Sequence, residues 1–341
     1  LTWVKSSIMS LGFDFSFLQN RLTFCADIFE RKVTDILIPG GKDYPALIGD
    51  DNLPFENAGV LKTTGFELQA KWSDKLSNGF AYSVGVALSD DKAEVLSYPS
   101  NPTNKIGDGV LYKGYTVGDI WGYETGGILQ ESDFDGVGPN GKPLYHGAYF
   151  KGGQPYPGYV WYQDLDHDGV ITSGLSTVDD PGDKKVIGNN APRYRYNITA
   201  NFQYKGFDLD LMFQGVGKRD YWLKDVSSYW GGGAGSWETY NQSWTPERTD
   251  AKFPMYGSGI GSYAQSGYLL DASYIKLKQV ILGYTFPKAL IGKVGLKKLR
   301  LNIAAYNLFT LSDVPKYYDS DYLSDAYPPK RTFSVGIQVG F

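Results

Sequence analysis

The chain has 341 residues and a net charge of −4, with one Cys, two His, 42 Gly, 27 Tyr, 18 Phe and 8 Trp. One Cys excludes a disulfide scaffold, two His argue against a His-ligated metal or a His-based triad, and the acidic balance lacks the basic stripe of a nucleic-acid groove. No apolar run approaches the ~20 residues of a transmembrane helix, so the aromatic and glycine content points to many β-strands joined by Gly-rich turns.

Alternation with period 2 is the dominant signal. From Ser7 to Phe17 the odd positions Met9, Leu11, Phe13, Phe15 and Phe17 are apolar and the even ones are mostly small or polar. Leu18-Gln19-Asn20 reads as a short turn, and Arg21 to Arg31 alternates again, with Leu22, Phe24, Ala26 and Ile28 on one face. Two alternating runs around a short turn predict a hairpin. The same pattern covers 66–72, 80–88, 194–204 and 207–213, with Lys205-Gly206 as a tight turn. A mixed-face strand covers 273–286. Two further strands cover 298–306 and 331–341, the last with Phe333, Val335, Ile337, Val339 and Phe341 on one face.

The reading therefore predicts nine strands in an all-β chain. Their connections alternate between short (18–20, 73–79, 205–206 and 287–297) and long (32–63, 89–193, 216–272 and 307–330). Unequal loops on the two sides are the pattern of a transmembrane antiparallel β-barrel, whose strands need about 9–11 residues to cross. Asp14, Asp27, Glu67, Asp208, Asp210 and Arg300 then face the lumen, and aromatics at strand ends form interfacial girdles. A soluble antiparallel sandwich also alternates, but its strands are usually shorter, about 5–6 residues. Barrels of this kind have even strand counts, and an open membrane sheet leaves bare edges. The expectation is that residues 1–341 form the C-terminal part of such a barrel, with the remaining strands upstream.

Several blocks carry a family resemblance. They include Leu1-Thr2-Trp3-Val4-Lys5, Asn57-Ala58-Gly59 through Thr64-Gly65-Phe66-Glu67, and Gly114-Tyr115-Thr116-Val117-Gly118 followed by Trp121-Gly122-Tyr123 and Gly126-Gly127-Ile128. Asp164-Leu165-Asp166-His167-Asp168-Gly169 with Val186-Ile187-Gly188-Asn189 follows, then Ser273-Tyr274-Ile275-Lys276-Leu277-Lys278 with Tyr284 and Pro287. Asn307-Leu308-Phe309-Thr310 and the segment from Tyr327-Pro328 to Phe341 close the series. In this order they resemble the C-terminal barrel region of SusC/RagA-type TonB-dependent outer-membrane transporters of Bacteroidetes. Val4 and Thr116 depart from that pattern, where Glu and Pro are usual.

The resemblance implies a barrel of about 22 strands, of which these are the C-terminal nine, with a plug domain and TonB-contacting region upstream. It implies a SusD-like surface lipoprotein as partner and uptake of oligosaccharides, or of peptides in the RagA branch. It also implies a multi-pass position in the lipid of the cell outer membrane, with the C-terminus periplasmic. The terminal Phe341 resembles the signal read by barrel-assembly machinery.

Asp164, Asp166 and Asp168 stand at alternate positions before Gly169, a spacing that wraps a hard cation with oxygen ligands. Val170 would offer its backbone carbonyl. Position 12 of such a loop is Leu175, not Glu, so Asp179, Asp180 or Asp183 would have to complete a structural Ca²⁺ site. The bland alternative is an acidic, solvated turn. Trp222, Trp230, Trp237, Tyr240 and Trp244 crowd the 216–272 loop. Such rings can stack on sugar C–H faces or meet a partner, or they can pack the loop against itself. No Gly-x-Ser-x-Gly elbow or metalloprotease helix motif is present, so the chain does not read as an enzyme. Two other readings compete with the nutrient importer: a soluble Ca²⁺-binding β-sandwich adhesin or lectin, and a siderophore or vitamin receptor barrel.

Overall fold

The computed structural model describes residues 1–40, 54–222, 240–258, 263–314, 318–323 and 329–341. Trp230 and Trp237 fall outside these residues. Nine long strands form one sheet: β1 (Lys5–Phe17), β2 (Leu22–Pro39), β3 (Phe55–Lys75), β4 (Ala81–Ser97), β5 (Arg193–Tyr204), β6 (Phe207–Lys218), β7 (Tyr274–Thr285), β8 (Lys298–Ser312) and β9 (Thr332–Gly340). Each pairs antiparallel with its neighbour in sequence, so the sheet is an uninterrupted meander.

Register carries the alternation across the sheet. One row runs Phe13–Ala26–Leu68–Leu88–Tyr196, and the row beside it runs Asp14–Cys25–Gln69–Ala87–Asn197–Gln214–Lys276. Because side chains alternate faces, one side of the sheet is apolar and the other polar. The apolar side has no second layer over it among the described residues: Val335 is 77% exposed, Ile337 68% and Ile303 57%. A sandwich must bury that face against another sheet, so the soluble-sandwich alternative fails here, whereas a lipid-facing wall needs no cover.

The short connections are as tight as the sequence predicts. Leu18, Gln19 and Asn20 all take positive φ, and Lys205 and Gly206 sit at φ 47° and 90°. The latter pair is the left-handed two-residue hairpin turn whose twist matches its strands. At this end of the sheet rings gather, with Phe207 4.5 Å from Tyr284 and Phe80 6.2 Å from Phe202, as expected of an interfacial girdle.

The long connections differ from the sequence reading. β2, β3 and β4 continue well past the alternating region, to Pro39, from Phe55 and to Ser97. Beyond the apolar layer neither face must meet lipid, so periodicity fades while the hydrogen-bond ladder persists. The segment between β4 and β5 is not plain loop either. It folds into small paired strands, including 119–123 with 184–189 and 125–128 with 160–162. Two hydrophobic clusters of the described residues lie here: Val95 at the end of β4 with Ile106, Tyr112 and Tyr115, and Tyr123, Val160, Tyr162 and Ile171 on and beside the small strands. The packed core therefore lies in a dome at one end of the sheet, not on the sheet.

Candidate functional site: the polar wall, its mouth and the dome

The polar face of the sheet holds all six charged residues assigned to it by alternation. Arg300 grips Asp208 from β8 across to β6, with its Nε 3.2 Å from Oδ1. Asn201 donates to Asp210 at 2.5 Å. Asp27 and Glu67 stand directly opposite on β2 and β3, with Asp14 two rows away across from Cys25. A face this rich in carboxylates, amides and paired guanidinium suits water or polar cargo, not lipid.

Where this face meets the dome it forms a cavity of about 530 Å³. Its wall includes Glu67, Gln69, Asn197 and Gln214 from the sheet, and its rim includes Arg219 and Asp321. Arg219 ties three segments together: its Nε donates to the carbonyl of Asn190 at 2.9 Å and its Nη1 to that of Asp321 at 3.3 Å. The last long connection thus turns inward. Its acidic residues Asp319 and Asp321 are turned away from solvent, with 15% and 19% of their side-chain surfaces exposed. Both accept hydrogen bonds from Lys276 of β7, which is only 3% exposed. Sequence reasoning missed this cluster. The available signal was Lys276 itself, a lysine at a polar-face position of an otherwise largely apolar strand.

In the acidic turn the structure brings together Asp164, Asp166 and Asp183, with one carboxylate oxygen of each lying within 4.8 Å of the others. Asp164 accepts the N–H groups of His167 and Gly169, at 2.7 and 2.8 Å. Asp183 is fully buried and accepts those of Leu165 and Thr172, both at 2.7 Å, thereby closing the base of the turn. Desolvation pushes the Asp164 carboxyl up, but the N–H groups of Gly169 and His167 outweigh it and hold it below its ordinary value. Asp166 moves the other way. The Asp168 N–H pulls it down, while desolvation and the charges of Asp183 and Asp168 prevail and raise it.

Asp179 and Asp180 do not join this group. Asp180 is drawn into its own turn, where its N–H bonds Thr177 Oγ1 at 3.1 Å and its carbonyl accepts the Thr177 N–H. Asp168 also stands apart, its carboxylate accepting the Val170 N–H at 2.8 Å. Val170 itself enters a short parallel pairing with Tyr149. The triad is thus built from two turn positions and one distant residue, rather than from consecutive loop positions.

The aromatic loop divides in two. Trp222 and Trp244 are buried. Trp244 donates its ring N–H to Gln130 at 2.9 Å, fastening the 240–258 segment to the dome. Trp222 pairs with Leu269 in a short strand pair. Tyr240 is exposed, with the Tyr256 ring 6.1 Å away. Among the described residues, Trp222 and Trp244 pack the loop, whereas Tyr240 and Tyr256 are exposed.

An antiparallel meander with one bare apolar face, one polar face, tight turns at one end and a folded dome at the other defines the wall of a transmembrane β-barrel. Comparison with known proteins narrows this class. The chain is 27% identical to TonB-dependent receptor P3 of Formosa agariphila and 25% identical to the TonB-dependent receptor SusC of Bacteroides thetaiotaomicron. Both matches cover all of this chain, and 34% and 32% of the relatives. The chain thus spans about a third of the length of the curated relatives it matches. No protein-family model matches it. Its fold is that of the RagAB peptide transporter, with a TM-score of 0.73 at 20% identity over the whole chain and 36% of that structure. The 'open-open' state of the RagAB peptide importer gives 0.72 at 21%. Sequence and fold together make this chain SusC/RagA-like, and its nine strands are a partial barrel of the TonB-dependent transporter kind.

Proposed function

We propose that these nine strands are part of an outer-membrane TonB-dependent importer of SusC type that takes up oligosaccharides with a SusD-like surface lipoprotein. The apolar face, bare of a covering layer among the described residues, carries the membrane part of this reading. The polar wall with its cavity of about 530 Å³ supports the transport part. β1 and β9 are the edges of the sheet among the described residues, and in lipid such edges must be paired, so further strands complete the barrel. Energy would come through TonB acting on a plug inside that barrel, and the tight-turn end would face the periplasm. A peptide cargo is the second reading, favoured by the likeness to the RagAB fold. Uptake assays with labelled oligosaccharides and labelled peptides, in cells with and without the gene, separate the two. Uptake of both unchanged by the deletion would remove the importer reading.

We further infer that Asp164, Asp166 and Asp183 hold a structural Ca²⁺. Three carboxylate oxygens so close repel one another, and a hard cation with oxygen ligands relieves that repulsion. The ion would stiffen the 164–183 turn of the dome. In the full-length protein, Ca²⁺ is expected to protect this turn from proteolysis, and Asp166→Asn to remove the protection. Cleavage that is the same in Ca²⁺ and in chelator would overturn the assignment.

A further inference from the structure

We propose that residues 318–323 are a strap latched inward over the lumenal mouth, with Asp319 and Asp321 as the latch and Lys276 as the catch. The inference rests on the reading of the polar face as a lumen. Lys276 Nζ lies 2.8 and 2.9 Å from the two carboxylate oxygens of Asp319 and 2.8 Å from Asp321 Oδ2. Lys278 reaches the same Asp321 oxygen at 3.0 Å, and the Tyr274 hydroxyl donates to Asp321. The Asp321 N–H folds back onto Asp319 Oδ1 at 2.8 Å, which fixes both carboxylates in one grip. Arg219 holds the strap's backbone at the Asp321 carbonyl. Leu323 seats its end against Ala272 and Val314.

Position gives this cluster its role. Lys276 stands on the polar face, opposite Gln214 of β6 and Thr310 of β8. Asp321, Arg219 and Tyr274 line the same cavity as Glu67 and Asn197 of the sheet. The strap therefore leans over the opening instead of away from it. Its chemistry is that of a closure made to be released. Well-packed apolar side chains often hold a permanent cover at least as firmly as a buried ion pair does. Charged groups, once parted, can take water or the polar groups of an entering solute as new partners, which apolar contacts cannot do. Lys276 is the pivot, because opening the strap removes both of its carboxylates at once.

The test uses the full-length protein in its own outer membrane, with Cys25→Ser and the same change at any cysteine outside these 341 residues removing the background thiols. Ser320, between the two latch residues, is 3% exposed, whereas Tyr322 is 59% exposed. A membrane-impermeant maleimide is expected to label Tyr322→Cys quickly and Ser320→Cys slowly. Adding Asp319→Asn and Asp321→Asn, which keep side-chain shape and remove charge, is expected to speed labelling of Ser320→Cys about tenfold or more, since access follows the open population. Equal labelling with and without the Asn changes would overturn the latch, as would a Ser320→Cys that reacts as fast as Tyr322→Cys from the outset. Uptake measured in the same cells reports on the transport reading separately. A silent uptake assay with a shielded Ser320→Cys would remove the importer and leave the latch standing.

Discussion

Val335→Arg is expected to prevent accumulation of an assembled barrel, while Ser334→Arg next to it is expected to be tolerated. The two residues are neighbours on β9 but point to opposite faces. Val335 lies in the row of Ile303 on the bare apolar side, and Ser334 in the row of Ala304 on the polar side. An arginine facing lipid near the bilayer midplane costs about 2–4 kcal/mol, and one facing the lumen costs little. Heat-resistant migration of the full-length protein in semi-native gels reads the outcome. Equal loss in both variants, or in neither, would mean that the face assignment is wrong.

Lys276→Met should cost about 3–5 kcal/mol, the usual penalty for removing one partner of a buried ion pair. Only 4% of its side-chain surface is exposed, and Asp319 and Asp321 would be left facing each other without their shared cation. Lys278→Met should cost about 1 kcal/mol or less, because Lys278 is 23% exposed and, among the described residues, pairs with Asp321. Urea unfolding in lipid vesicles, followed by cleavage in the last long connection, would rank the two variants. Equal destabilisation would count against Lys276 as the centre of the cluster.

The same cluster has a definite pH dependence. Burial pushes Asp321 up, but hydrogen bonds from Lys276, Tyr274 and Lys278 prevail and hold it below its ordinary value. A carboxyl depressed on folding stabilises the folded form above its unfolded pKa of about 3.9, and the gain is lost as pH falls through the folded value. The groups facing it are Asp319 from the strap, Tyr274, Lys276 and Lys278 from β7, and Arg219 after β6. The cluster should therefore hold from neutral pH into mild acid and weaken only below about pH 4.

Much of the sheet was legible in the sequence because lipid imposes a strict rule. Every second residue of a crossing strand must be apolar, so Met9 to Phe17 and Phe333 to Phe341 announce themselves. The tight turns were legible too, since Lys205-Gly206 leaves the chain few alternatives. The strand extensions at 32–39, 55–63 and 89–97 were not, because outside the apolar layer no face is forced to be apolar. The dome was hidden for another reason. Its strands are two to six residues long, below the length at which periodicity shows.

At the sites the limit was distance along the chain. Asp164 and Asp166 were found from local spacing, but Asp183 joins them by closing a turn eighteen residues away from its hydrogen-bond partner Leu165. Asp179 and Asp180 carried the same residue type nearby and were equally attractive until backbone geometry assigned Asp180 to its own turn. The pairing of Lys276 with Asp319 and Asp321 spans more than forty residues, and no spacing rule reaches that far.

The length of β3 has a consequence for where the protein meets its surroundings. Its 21 residues, at about 3.3 Å each and tilted about 45°, rise roughly 50 Å. The apolar band of an outer-membrane wall is about 25 Å tall. The hairpin of β2 and β3 therefore stands clear of the bilayer as a stiff parapet, continuous with the strands below it. In the proposed orientation, molecules approaching from outside meet this rampart and the dome beside it well before they reach the lipid. That stand-off distance is set by backbone hydrogen bonds, so it should barely change with the lipids beneath.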